Sequence, residues 1–118
     1  MPHMLEITAE TVESVEVVNL GGALDTENMG ALKSTMDPLC SPAGAKRILV
    51  DCSNLLYVNS ACFGLFNKYH GQCKSTGSTL AFCGVSRKIL DIMKLLGLSY
   101  SLNIYTTRRE ALKALGGP

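Results

Sequence analysis

Arg47-Ile-Leu-Val-Asp-Cys52, followed by Leu55-Leu-Tyr-Val58 and then Asn59-Ser60, is the stretch from which the fold is read. Its first six residues carry the short apolar run of a buried strand. Asn59 and Ser60 are good helix-capping residues. Beyond them Cys62, Leu65, Phe66, Tyr69 and Cys73 fall on one helical stripe, with Gly77 past its end. Thr79–Cys83 then reads as another strand. Strand, helix and strand in this order point to a parallel pair joined by a right-handed crossover.

The same alternation extends in both directions. Downstream, Gly84-Val85-Ser86 turns into a helix that Ser86 caps, with Ile89, Leu90, Met93 and Leu96 expected to be buried and Gly97 suited to a left-handed stop. Leu102–Tyr105 is the last strand, Thr106 or Thr107 caps a helix over Arg108–Leu115, and Gly116-Gly117-Pro118 is a tail. Upstream, Met29, Leu32, Met36 and Leu39 mark a helix capped by Asp25 or Thr26 and ended or bent by Pro38. Leu5–Thr8 and Val15–Leu20 are two strands, joined through the polar stretch Glu10–Ser14, and Gly21-Gly22 ends the second. The fold class is therefore α/β: one mixed, mainly parallel sheet of about five strands with about four helices. The segments after Leu24, Cys52 and Cys83 are expected at one edge of that sheet, the edge where open α/β sheets bind ligands. They carry Asp25, Asn59, Ser60 and Ser86.

Composition narrows the function. A chain of 118 residues has room for one domain, residues 1–118, with a core over about 4–115. Eleven basic residues against ten acidic ones leave +1, and no Lys/Arg cluster marks a nucleic-acid surface. No apolar run approaches the ~20 residues of a membrane span, so no membrane insertion is expected. Five cysteines with no CxxC pair and only two histidines give no metal-ligand spacing, and nothing implies a cofactor. The odd cysteine count fits five plain thiols in a reducing compartment, which makes the protein a cytoplasmic one. A Cys73–His70 nucleophile pair, three residues apart on a helix, is badly aimed for catalysis.

Gly22-Ala-Leu-Asp25, Ile48-Leu-Val-Asp51-Cys-Ser53 and Tyr57-Val-Asn-Ser60-Ala-Cys-Phe-Gly64-Leu65 occur in order along the chain. They are followed by Gly77-Ser-Thr-Leu-Ala-Phe82, the helix Ile89 to Leu96 with Gly97-Leu98, then Tyr105-Thr-Thr and Glu110-Ala-Leu112. The ordered set resembles the STAS domain of anti-sigma factor antagonists over nearly the whole chain. The resemblance implies partner switching. The unphosphorylated protein binds an anti-sigma factor that is also a serine kinase; phosphorylation of one serine at the start of the second helix breaks the complex, and a phosphatase restores it. Ser60 matches the acceptor. Asn59 stands where an acidic residue is usual, Ala61 where a second serine is frequent, and Cys62 where glycine is usual. Asp25 matches the family's acidic residue beside the acceptor. The partner surface so implied comprises Asp25, Asn59, Ser60, Ala61, Cys62, Ser86, Arg87 and Met93.

Each of these residues also has a plain structural use. Ser60, Asp25 and Ser86 are potential N-caps, Asp51 suits hydrogen bonding at a strand end, and Met93 has core periodicity. Arg87-Lys88 is a short basic pair, solvated or facing an acidic partner. Two other functions compete with the switch. One is an unphosphorylated STAS scaffold subunit of a transport or signalling assembly. The other is a small enzyme using Cys62 or Ser60, disfavoured because no histidine base falls in the three loops.

Overall fold

Glu13 and Ser14 take left-handed backbone angles, with φ of 50° and 69°. That conformation makes a two-residue hairpin turn whose twist matches its strands. It joins β1 (Leu5–Val12) to β2 (Val15–Leu24) with Val12 opposite Val15. Both strands are therefore longer than the sequence suggests, and the connection is two residues rather than the stretch Glu10–Ser14. Neither turn residue is glycine, so both carry the left-handed penalty. Ser14→Gly should stabilise the fold by about 0.5–1 kcal/mol, seen as a higher melting temperature. A lower one would show that the turn is not strained.

The computed structural model describes residues 4–116; Gly117 and Pro118 of the expected tail lie outside them. β3 (Arg47–Val58), β4 (Thr79–Cys83) and β5 (Asn103–Tyr105) complete a sheet of order β1-β2-β3-β4-β5. β1 is antiparallel to β2, and every other pair is parallel. The helices are α1 (Met29–Leu39), α2 (Phe63–Ser75), α3 (Arg87–Leu95), α4 (Leu98–Ser101) and α5 (Arg108–Gly116), and a 3-10 turn, Ser60–Cys62, leads into α2. The mixed sheet of five strands and the four longer helices agree with the sequence reading. The one-turn α4 was not foreseen, and it shortens the last strand to Asn103–Tyr105.

The pleat divides the core in two. Ile48 and Val50 face α1, α2 and α3, where they pack with Val18, Leu32, Met36, Phe63, Phe66, Tyr69, Phe82, Ile89 and Met93. Phe66 lies between Phe63 and Phe82, with ring centroids 6.1 and 5.0 Å away. Leu49 faces the other way, into a smaller cluster of Val15, Val17, Ala81 and Cys83 closed by Ala111 and Leu115 of α5. Burial of each such side chain contributes roughly 1.5–3 kcal/mol.

Three local expectations are corrected. Gly21-Gly22 does not end β2, which runs on to Leu24. Gly22 has a φ of +81°, and a Cβ there would collide with the Met4 carbonyl oxygen, so the strand crosses β1 closely at that point. β3 likewise does not stop at Cys52. Its register against β2 passes from Asn19↔Asp51 to Gly21↔Asn54, then from Gly22↔Leu55 to Ala23↔Tyr57. Each step adds one residue to β3, a bulge that breaks the alternation without breaking the strand. Leu96 is not buried: it closes α3 and is 52% exposed, while Leu90 is half-buried and Ile89 and Met93 are fully covered.

Candidate functional site

β2 and β3 extend together beyond β4 and β5, with β1 alongside β2 as far as Leu5↔Gly22. Cys83, the end of β4, pairs with Asp51, whereas Leu24 pairs with Val58 seven residues further along. At ~3.3 Å per residue the two strands form an arm of about 20 Å. At its tip the Asn59 amide donates to the Leu24 carbonyl at 2.8 Å, tying the segments that carry Asp25 and Ser60 together.

Each segment is shaped by an asparagine. Asn59 has an extended backbone, and its Oδ1 accepts from the Ala61 amide at 2.9 Å, so Asn59 caps the 3-10 turn. Ser60 is then the first residue of the turn. Its hydroxyl is exposed and makes no hydrogen bond among the described residues. On the other segment, Asp25 Oδ1 accepts from the Glu27 and Asn28 amides at 2.9 and 3.0 Å. The Asp25 amide donates to Asn28 Oδ1, and Asn28 Nδ2 donates to the Ala23 carbonyl, both at 2.9 Å. Asp25 thus orders the turn before α1, and the N-cap position itself falls to Asn28 rather than to Asp25 or Thr26.

The arm brings together Asp25, Asn59, Ser60, Ala61 and Cys62; of these five, Ser60 and Ala61 are exposed and Asn59 is half-buried. Cys62 is 0% exposed, and Asp25 is 8% exposed. Burial raises the Cys62 thiol pKa; the nearby Asp25 carboxylate raises it further, and Lys33 offsets part of this. Such a thiol is a poor nucleophile, and its place in a partner surface is corrected to one of support.

The other expected members stand apart. Ser86 does cap α3, accepting from the Ile89 amide at 3.2 Å, but it follows β4 and so leaves the sheet at the base of the arm. α3 then returns toward the start of β5, carrying Met93 away from Ser60. Met93 is 1% exposed and belongs to the core, so the reading of it as a contact residue is overturned. Arg87 is exposed and pairs with Asp91 at 3.4 Å, an i,i+4 pair of small energetic weight. The three loops leave the same edge of the parallel strands but at different heights: two meet at the tip of the arm, and the one that carries Ser86 emerges at its base.

Sequence reasoning missed the apolar surface at this end. Leu56 is 78% exposed and Tyr57 47%, while Met4, whose carbonyl accepts from Ala23, is 70% exposed. Leu55-Leu56-Tyr57 held the signal, because three successive apolar residues of a strand cannot all face one core.

A second polar cluster lies on the α5 face. Asp51 Oδ1 accepts from the Ser53 amide at 2.9 Å and its hydroxyl at 2.6 Å, and Asp51 Oδ2 accepts from Arg108 Nε at 2.8 Å. Arg108 also donates to Asn19 Oδ1 and pairs with Glu10 at 3.5 Å, while Asn19 Nδ2 donates to Thr8 and Glu10. Burial works to raise the Asp51 pKa, but the hydrogen bonds from Ser53 and Arg108 prevail and hold it below the usual carboxylate value. This network joins β1, β2, β3 and α5, which is a structural task.

A mixed five-stranded sheet with three helices on one face, one on the other and an open serine on the turn before the second long helix defines a recognisable class of small α/β domain. The STAS domain family matches residues 6–111, and the chain belongs to that family. Similar solved structures agree on the fold. An anti-sigma factor antagonist from Mycobacterium paratuberculosis superposes with a TM-score of 0.89 at 17% identity, over 99% of this chain and 98% of that one. The anti-sigma factor antagonist SpoIIAA in its unphosphorylated form gives 0.78 at 14% identity, over 96% and 99%. The phosphorylated form of SpoIIAA, a cell fate determinant of Bacillus, gives 0.72 at 15% identity, over 92% and 98%.

Proposed function

We propose that this protein is an anti-sigma factor antagonist that binds an anti-sigma factor serine kinase through the tip of the β2–β3 arm and is released by phosphorylation of Ser60. The observation that carries this reading is the state of the Ser60 hydroxyl. It is exposed, and Asn59 has taken over the capping that would otherwise occupy it. Ala61, Leu56 and Tyr57 supply the neutral and apolar contact area around it, and Asn59 and Asp25 hold its two segments in place. A phosphatase would restore binding, and such a cycle belongs in the cytoplasm.

Catalysis by the chain itself is no part of this reading, because a nucleophile needs a base within hydrogen-bond reach. Cys62 is buried, and His70 lies within α2 rather than at the tip. A relative being solved in both phosphorylated and unphosphorylated forms supports the idea that this fold accommodates the modification.

The test is a pull-down from the native cell with wild-type protein and Ser60→Asp, followed by mass spectrometry. An ATP-binding kinase retained by wild type and lost with Ser60→Asp is the expected result. Recovery of the same transport proteins with both baits would favour the scaffold function instead.

A further inference from the structure

α1 and α2 each lead from the end of one parallel strand to the start of the next, so they run parallel to one another. The Tyr69 hydroxyl donates to Asp37 Oδ1 at 2.7 Å, which sets their register. One helical turn further along each, Cys40 closes α1 and Cys73 occupies the last turn of α2. Both are buried in the same core cluster, 1% and 0% exposed, and the Cys40 thiol lies against that of Cys73. All five cysteines are free in this structure.

We propose that Cys40 and Cys73 are a site of reversible oxidation, closing to a disulfide that clips the far ends of α1 and α2 when the protein meets hydrogen peroxide. The step balances with the oxidant named. One thiolate attacks the peroxide oxygen, giving a sulfenic acid and releasing water. The second thiolate attacks that sulfur, the S–O bond breaks, and a second water leaves. Two electrons pass from the sulfur pair to the peroxide.

Access comes through the end of α1. Pro38 stands in its last turn and has no N–H to donate to the Ser34 carbonyl, so one bond of the helix ladder is missing there, while the Cys40 amide still donates to Met36 and the Ala45 amide to Leu39. In the closed protein, burial and the neighbouring Cys73 push the Cys40 thiol up to about 12, which keeps it inert. Opening of that turn returns it to water. The rate of oxidation therefore follows local opening of residues 38–41, and the site is silent under reducing conditions.

The experiment treats the native chain with excess hydrogen peroxide, caps remaining thiols with N-ethylmaleimide in denaturant and maps the peptides by mass spectrometry. A single linked peptide joining Cys40 to Cys73, reversed by dithiothreitol, is the expected product. Closing a loop of about 33 residues should raise the melting temperature by on the order of 10 °C. Cys40→Ala and Cys73→Ala, each checked for native circular dichroism, should give no linked peptide. Links between other cysteines, sulfinic acid at Cys40 or Cys73 without a link, or intact thiols under conditions where amide exchange shows residues 38–41 opening would each overturn the proposal.

Discussion

Ser60→Asp should weaken binding to the cognate anti-sigma factor about a hundredfold, while Ser60→Ala binds like wild type and resists the kinase. A phosphate adds a charge of about −1.5 to −2 at neutral pH. Within the free protein that charge costs little. It enters where a hydroxyl already faces solvent, ahead of the α2 N-terminus, whose dipole favours an anion by ~0.3–1 kcal/mol. Folding and melting temperature should therefore stay nearly unchanged. The penalty arises when a partner closes over the tip. One like-charge contact at ~5 Å, with an effective dielectric near 20, costs about 3 kcal/mol. At 1.4 kcal/mol per decade, that is on the order of a hundredfold in affinity. Titration calorimetry of the three proteins against the purified partner decides the matter, and equal affinities would remove Ser60 from the mechanism.

The largest stability effect should come from Arg108→Met. The change keeps most of the side-chain volume and strips Asp51 of its cation, leaving an 8% exposed carboxylate with Ser53 alone. Removing one partner of a fully buried ion pair costs about 3–5 kcal/mol. The Arg108 side chain is 36% exposed, so water screens part of this, and a loss of about 2–3 kcal/mol is expected from urea denaturation at neutral pH. The pH dependence gives a second readout. Asp51 is depressed in the folded state, so its contribution is present above the unfolded carboxyl value, ~4, and is lost as pH falls through the lower folded value. Without Arg108 the opposing effect of burial gains weight, so the loss of stability on acidification should be shallower. An acid limb as steep as that of wild type would show that Ser53 alone holds the carboxylate.

Where sequence and structure agree, a single physical signal acts without competition. Ile48-Leu-Val50 is covered on both faces, and the α2 stripe of Leu65, Phe66, Tyr69 and Cys73 meets one core, so pattern and burial coincide. Where they part, tertiary geometry overrules the local cue. Glu13 and Ser14 form a turn usually built from Asn and Gly, because two long flanking strands hold them there. The bulges of β3 hide a twelve-residue strand behind an irregular pattern, and with it the arm that lifts Ser60 away from Ser86. Met93 shows the limit of carrying surface residues over by family likeness: its spacing marked it as core, and core is where it lies. Ser60 was singled out by the family resemblance, since its residue type and position suit a plain N-cap equally well; in the structure that cap is Asn59.

The unequal cover of the two faces of the sheet has a consequence for how this chain is made. Three helices shield one face, and each is synthesised between the strands it covers. The other face depends on α5, residues 108–116, the last element of this domain to be synthesised. Until then a nascent chain carries an assembled sheet whose Val15, Val17, Leu49 and Ala81 lie bare, an apolar surface of the kind that chaperones hold and neighbouring chains adhere to. Completion of the fold is thus tied to the synthesis of its last helix, and a chain truncated before Arg108 would keep its candidate switch while lacking the helix that keeps it from aggregating.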